Sequence, residues 1–176
     1  MKIRKEITLV SISDIRIKET INALVRSNKK LYPAKTFLFS SKSINLNKHQ
    51  KEMIEVIKVN PIISIKHYSE FIIYALHKYI STSHVLIVQW DGFILNSSKW
   101  NNKFLNYDYI GAPWPNNKRW KDRFLKLDKE IASNIIKNFS FNQVGNGGFS
   151  LRSKKFLEYS AQFSDTLGLP EDIFLC

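Results

Sequence analysis

Residues His84–Phe93, HVLIVQWDGF, decide the reading of the fold. The apolar residues Val85–Val88 lead into Gln89, Trp90 and the carboxylate of Asp91, and Gly92 ends the run. A short continuous apolar run closed by a turn residue is the pattern of a strand buried on both faces. In an open parallel sheet, ligands bind in the crevice beyond the carboxyl ends of the strands. Asp91 is the first charge after the run, so the strand delivers it to that edge. There, beside Trp90 and Gly92, a carboxylate can meet a metal ion or a sugar hydroxyl. Asp-Gly is also a common turn dipeptide, and a turn alone would account for it.

Upstream, Ile7–Ser13 (ITLVSIS) is apolar and β-rich and reads as the first strand. Asp14 is placed to cap a helix in which Ile17, Ile21, Leu24 and Val25 recur at helical spacing to about Ser27. Tyr32-Pro33 makes a turn, Thr36–Phe39 is a second strand, and Ser43–Gln50 reads as polar loop. Glu55–Val59 is a third strand stopped by Asn60-Pro61, and Ser69 is placed to cap a helix to Ile80. This alternation predicts an α/β fold with a mixed, mainly parallel sheet flanked by helices. Residues 1–93 have the texture of a nucleotide-binding half. They contain no GxGxxG or P-loop, so a phosphate is not held by a Gly-rich helix N-terminus of those types.

Downstream, Asn96–Asn106 is polar with Trp100 and Phe104 embedded, and Tyr107–Trp114 (YDYIGAPW) reads as a rigid pocket-lining loop. Trp120, Phe124, Leu127, Ile131 and Ile135 form a helical stripe among Lys118, Arg119, Lys121, Arg123, Lys126 and Lys129. A stripe of that kind is ordinarily core on one side and solvated charge on the other. In Val144–Arg152 (VGNGGFSLR) the glycines read as a loop that leaves backbone amides uncovered for close approach, and a hairpin turn would account for Gly147-Gly148 alone. Phe149 and Leu151 then alternate as in a strand, and Ser153 is placed to cap a helix through Phe163. Glu171-Asp172 follow Pro170, near the last residue.

At 176 residues, the chain fits one domain with a sizeable core. Its 44% hydrophobic and 13% aromatic content excludes a disordered chain. No apolar run approaches the ~20 residues of a membrane span. The basic, then apolar N-terminus lacks a small-residue cleavage site and reads as a strand of a cytoplasmic protein. The lone cysteine, Cys176, allows no internal disulfide. The net charge of +12 favours polyanionic partners: nucleic acid, an anionic membrane surface met peripherally, or phosphate-bearing substrates. A composition rich in Lys, Asn and Ile gives the same charge without any binding role.

QWDGF, DYIGAPW and GNGGFSLRS, followed by PEDIF, occur in one order along the chain. In this, the sequence resembles a bacterial and viral family of glycosyltransferase-like proteins with a GT-A-type fold, catalogued mainly as a domain of unknown function. The resemblance runs from the ITLVSIS strand to the end. It implies one GT-A-like domain over 1–176, with 1–93 binding nucleotide and 94–176 serving sugar and acceptor.

GT-A enzymes usually carry Asp-x-Asp after the central strand, holding a divalent metal against the donor diphosphate. Here Gln89-Trp90-Asp91 stands in that place, so only Asp91 matches. The resemblance thus implies Mn²⁺ or Mg²⁺ at Asp91, with a single carboxylate to hold it. The donor and sugar site it implies comprises Ser11, Gln89, Trp90, Asp91, Gly92, Trp114, Asn146, Gly147, Gly148 and Phe149, with Trp100 a further stacking candidate. It also implies that Asp172 deprotonates the acceptor hydroxyl, in an inverting reaction, while Glu171 orients the acceptor. The plain alternative for this pair is the acidic first turn of a helix. The sequence stops four residues after Asp172, and none of His49, His67, His77 or His84 follows the acidic pair as a metal ligand.

The expected function is transfer of a sugar from a nucleotide-sugar donor to a hydroxyl of a glycan, lipid-linked glycan or protein. A catalytically inactive nucleotide-sugar-binding protein and a basic nucleic-acid-binding module are the alternatives. The tryptophans lie in Gly/Pro-rich loops with acidic residues, which disfavours a basic aromatic stripe for stacking bases.

Overall fold

The structure, a computed structural model, describes residues 4–113, 144–164 and 169–175. Its strands are β1 (Arg4–Ile12), β2 (Pro33–Ser40), β3 (Glu55–Lys58), β4 (His84–Ile87), β5 (Tyr109–Pro113) and β6 (Val144–Ser153). They form one sheet in the order β3-β2-β1-β4-β6-β5. Strand β1 lies parallel to β2 and β4, and β2 parallel to β3. Strand β6 runs antiparallel between β4 and β5. One reversed strand in an otherwise parallel sheet is the mixed, mainly parallel α/β architecture that the alternation predicts.

Side chains alternate across the sheet as a two-residue period requires. Leu9, Leu38, Leu86 and Val88 belong to one core layer, with Ile21 and Leu24 of α1 (Ile17–Leu31). Val10, Phe37, Phe39 and Ile87 belong to the other, with Ile72, Leu76 and Leu157. The second layer is closed by α3 (Ile65–Glu70), which runs on into a π turn (Phe71–Ala75) and a 3₁₀ turn (Leu76–Tyr79), and by α4 (Lys154–Ser160). Short helices α2 (Lys48–Lys51) and α5 (Glu171–Phe174) complete the α-helices among the described residues. No described helix is long and apolar enough to cross a membrane.

Several local expectations are corrected. Asp14 does not cap α1: Arg16 holds the N-cap position in the left-handed region, without a side-chain cap. Ser69 does not cap the third helix, because Ser64 does, its hydroxyl accepting from the His67 amide at 3.1 Å. Ser43–Gln50 is not all loop, since Asn47 and Gln50 form a reciprocal capping box that starts α2. Tyr109–Pro113 of the expected rigid loop is the edge strand β5, and the glycine segment lies within β6. Ser153 caps α4 as expected, but that helix ends at Ser160.

Candidate functional site

The site forms where β1 and β4 end side by side. Ser11 Oγ donates to Val88 O at 2.8 Å, and the Val88 amide donates to Val10 O at 2.9 Å. Gln89 and Gly92 then exchange backbone hydrogen bonds of 2.9 and 3.1 Å, a tight reversal with Trp90 and Asp91 at its tip. Beside this turn lies a pocket of about 560 Å³, lined by Ser11, Asp14, Thr20, Lys42, Tyr68, Gln89 and Trp90 together with isoleucines.

Asp14 ties the loops around that pocket together. Its Oδ1 accepts from Ser40 Oγ and the Ser41 amide, and its Oδ2 from Ser41 Oγ and the Ile62 amide, all at 2.7 Å. Burial works to raise the Asp14 carboxyl. The Ser41 and Ser40 hydroxyls and the Ile62 and Ser41 amides outweigh it and hold the group down at about 2. The β1–α1, β2–α2 and β3–α3 connections are thereby fixed to one carboxylate.

The acidic pair lies deeper, against β6. Arg152 is fully buried, and its Nη2 meets Glu171 Oε1 at 2.8 Å, with Glu171 only 3% exposed. Arg152 Nε donates to Ser150 Oγ at 3.1 Å, while Nη1 is buried with no hydrogen-bond partner among the described residues. Ser69 Oγ accepts from the Glu171 amide at 3.1 Å, so the serine expected as a cap instead anchors α5. Half-buried Asp172 accepts from the Gly147 amide at 3.1 Å through Oδ2. Burial, followed by the Glu171 charge, pushes the Asp172 carboxyl up to about 7 against the opposing Gly147 amide and Arg152. A carboxylate with that affinity for protons suits a general base at neutral pH.

Tyr68 and Gln89 join the two regions, Gln89 Nε2 donating to Tyr68 Oη at 3.0 Å. Burial and then the Glu171 charge raise the Tyr68 phenol, keeping it a neutral hydroxyl. A Cβ on Gly148 would lie 2.7 Å from Gln89 Oε1, and one on Gly147 would strike Glu171 Oε1 and come 2.7 Å from Arg152 Nη2. These glycines let β6 pass directly over the acidic cluster.

The structure therefore brings together Ser11, Gln89, Trp90, Gly147, Gly148, Glu171 and Asp172. Trp90 is 38% exposed, with the Arg16 guanidinium 4.3 Å from its ring. Asn146 Oδ1 accepts from the Gly148 amide at 3.2 Å. Gly92 packs against β6, where an added Cβ would lie 3.2 Å from Phe149 Cβ. Phe149 and Trp100, by contrast, line a separate apolar depression of about 610 Å³ with Phe93 and Phe104. Glu171, expected beside an acceptor, turns its carboxylate inward to Arg152. Trp114 and the Trp120–Ile135 stripe lie outside the described residues.

Asp91 is exposed, and among the described residues no group of three or more His, Cys, Asp or Glu side chains gathers to hold a metal. A divalent ion there would rely on ligand oxygens and water for the rest of its shell, which is how Mg²⁺ commonly binds beside phosphates.

Sequence reasoning missed Tyr68, Arg152 and the role of Asp14. For Arg152 a signal exists: a cation two residues after Ser150 in an apolar, strand-like run demands a buried partner. Nothing local marks Tyr68.

Residues 51–176 match the model of a family described as protein of unknown function (DUF5672). No curated protein matches the chain in sequence. Among solved structures, the chain is similar to the X-ray structure of the mannosyltransferase Ktr4p from S. cerevisiae in complex with GDP, with a TM-score of 0.51 at 9% identity. The likeness covers 98% of this chain and 60% of that one, so this chain spans about three fifths of that protein's length. At that identity the likeness shows the fold alone, a mixed, mainly parallel α/β sheet flanked by helices.

Proposed function

The chain belongs to the DUF5672 family, and we propose that it is a glycosyltransferase, moving a sugar from a nucleotide-sugar donor to a hydroxyl of a glycan, lipid-linked glycan or protein. The observation that carries this reading is Asp172, raised to about 7 and held by the Gly147 amide, while the next residue, Gly148, packs against Gln89, which bonds Tyr68 in the wall of the pocket beside β1 and β4. Residues 1–93 supply the donor pocket, and 94–176 supply the base.

Chemical complementarity supports a phosphate-bearing donor. Asp14 is saturated by donors, and Ser11 Oγ is spent on Val88 O. Lys42, the Thr20 hydroxyl, which has no partner among the described residues, and the first amides of α1, which no described side chain caps, remain, and all can donate to an anion. Trp90 offers a face for a sugar or base. When bound at Asp91, Mn²⁺ or Mg²⁺ would offset charge on the diphosphate.

In the reaction, Asp172 takes the proton of the acceptor hydroxyl as that oxygen attacks the anomeric carbon. The bond to the diphosphate breaks, and the nucleoside diphosphate leaves with the electron pair. Attack from the side opposite the leaving group inverts the anomeric centre. Glu171 acts through its charge on Asp172, held in place by Arg152 and Ser69. A thermal-shift panel of UDP-, GDP-, CMP- and dTDP-sugars, with Mn²⁺, Mg²⁺ or EDTA, tests the reading. A ligand at a hundred times its Kd adds about 2.7 kcal/mol of stability. Binding of none of them by folded protein would contradict it.

A further inference from the structure

We infer that the mouth of the donor pocket is a docking surface for an anionic lipid bilayer. Ile15, Ile63 and Ile65 are 66, 77 and 69% exposed, and all three line the same pocket. Ile15 and Ile63 come from connections far apart in sequence, β1–α1 and β3–α3, and Ile65 opens α3. The Asp14 bond to the Ile62 amide holds one connection against the other. Isolated exposed apolar residues are ordinary, whereas a convergent group around a functional opening marks an interaction site.

Charge selects the partner. Lys42 lines the pocket with the isoleucines, and Lys58 lines the adjoining groove with Ile62 and Ile63. Arg16 and Lys66 adjoin Ile15 and Ile65 in sequence, and Lys18 follows in the first turn of α1. The acidic groups nearby are Asp14, still charged because its four donors are neutral, Glu19 in that first turn, Glu70, 3.8 Å from Lys66, and exposed Asp91 next to Trp90, against the cations Arg16, Lys18, Lys42, Lys58 and Lys66. Apolar tips ringed by an excess of cations match a headgroup layer: the tips enter the acyl boundary and the cations meet anionic phosphates. A second protein surface would need a comparable apolar area facing these tips with acidic residues around it, whereas on this chain the cations would face one another. The inference is independent of the transfer chemistry.

Co-sedimentation of the full chain with phosphatidylcholine vesicles, with and without phosphatidylglycerol, tests this. Binding is expected only with phosphatidylglycerol, weakening as salt rises. Each isoleucine withdrawn from water is worth about a factor of ten. The triple variant I15S/I63S/I65S should therefore bind at least about a hundredfold more weakly, with an unchanged far-ultraviolet spectrum. Should the triple variant not fold, I63S alone must weaken binding about tenfold. Absence of vesicle binding by the parent, or equal binding by the folded variant, overturns the proposal. So does a concentration-dependent dimer abolished by the same substitutions, which would assign the face to a second copy of the chain.

Discussion

Arg152 Nη2 and Glu171 Oε1 lie 2.8 Å apart with both side chains out of solvent, joining the reversed strand of the sheet to the last described helix. Breaking such a pair leaves an uncompensated buried charge, which typically costs about 3–5 kcal/mol. Arg152→Met should lower unfolding free energy by that order in urea titration. The double variant R152M/E171Q should recover part of the loss, because neither residue then carries a charge. A loss below about 1 kcal/mol in R152M would mean that the pair does not hold α5 in place.

The pH dependence has a definite sign. Asp172 is raised to about 7 from 3.8, so between those values the folded chain holds a proton that the unfolded chain has released. Its contribution to stability is complete below about 4 and is lost as pH rises to about 7. Asp172→Asn should flatten that slope. Activity runs the other way, since the base must be ionised, so kcat/KM should fall below about pH 7. Glu171→Gln removes a like charge and should move that acid limb to lower pH. A limb that stays in place would remove Glu171 from the electrostatics of the base.

Asp14 concentrates four hydrogen bonds on one carboxylate. Because its affinity for protons is depressed to about 2, its contribution is present above about 4 and is lost as pH falls through 2. Asp14→Ala should destabilise by roughly 2–4 kcal/mol, given that each charged hydrogen bond is worth about 1.5–3 and water repairs part of the loss. It should also weaken nucleotide binding by loosening the pocket walls. Unchanged affinity in a folded variant would show that the walls keep their shape without it.

The two glycines of β6 should respond unequally. A methyl on Gly147 meets the buried carboxylate and guanidinium, neither of which can withdraw, whereas on Gly148 it meets the movable end of Gln89. Gly147→Ala should therefore cost about 1–3 kcal/mol, the range for overpacking, and Gly148→Ala less. Calorimetric melting of both compares them directly. The reverse order would contradict the packing described for Gly147.

The sheet was legible because its central strands are apolar runs with abrupt ends. Val85–Val88 matches β4 within a residue, and Ile7–Ser13 matches the buried part of β1. The misreadings share a cause: a residue type that is locally a cap was claimed by a distant partner. Asp14 reads as a cap because it precedes an amphipathic run, yet Ser40, Ser41 and Ile62 hold it. Ser69 reads the same way, but it lies inside α3 and accepts from Glu171, 102 residues away in sequence. The glycine segment of β6 reads as loop because glycine has little strand preference. It is a strand because β4 and β5 flank it, and its glycines answer to Glu171 and Gln89. The acidic pair was visible as a pair. Its unequal burial, with Glu171 turned inward and Asp172 half-buried, depends on Arg152 and follows only from the packing.

The most direct measurement of the central claim is turnover and binding by Asp172→Asn beside the parent, using whichever nucleotide-sugar the parent binds. The expected result is donor affinity within about twofold of the parent and a kcat lower by roughly 10²–10⁴, the usual worth of a general base. Equal turnover by the two proteins would contradict the role of Asp172, and a parent that binds donor but transfers nothing to any acceptor or to water would contradict the glycosyltransferase itself.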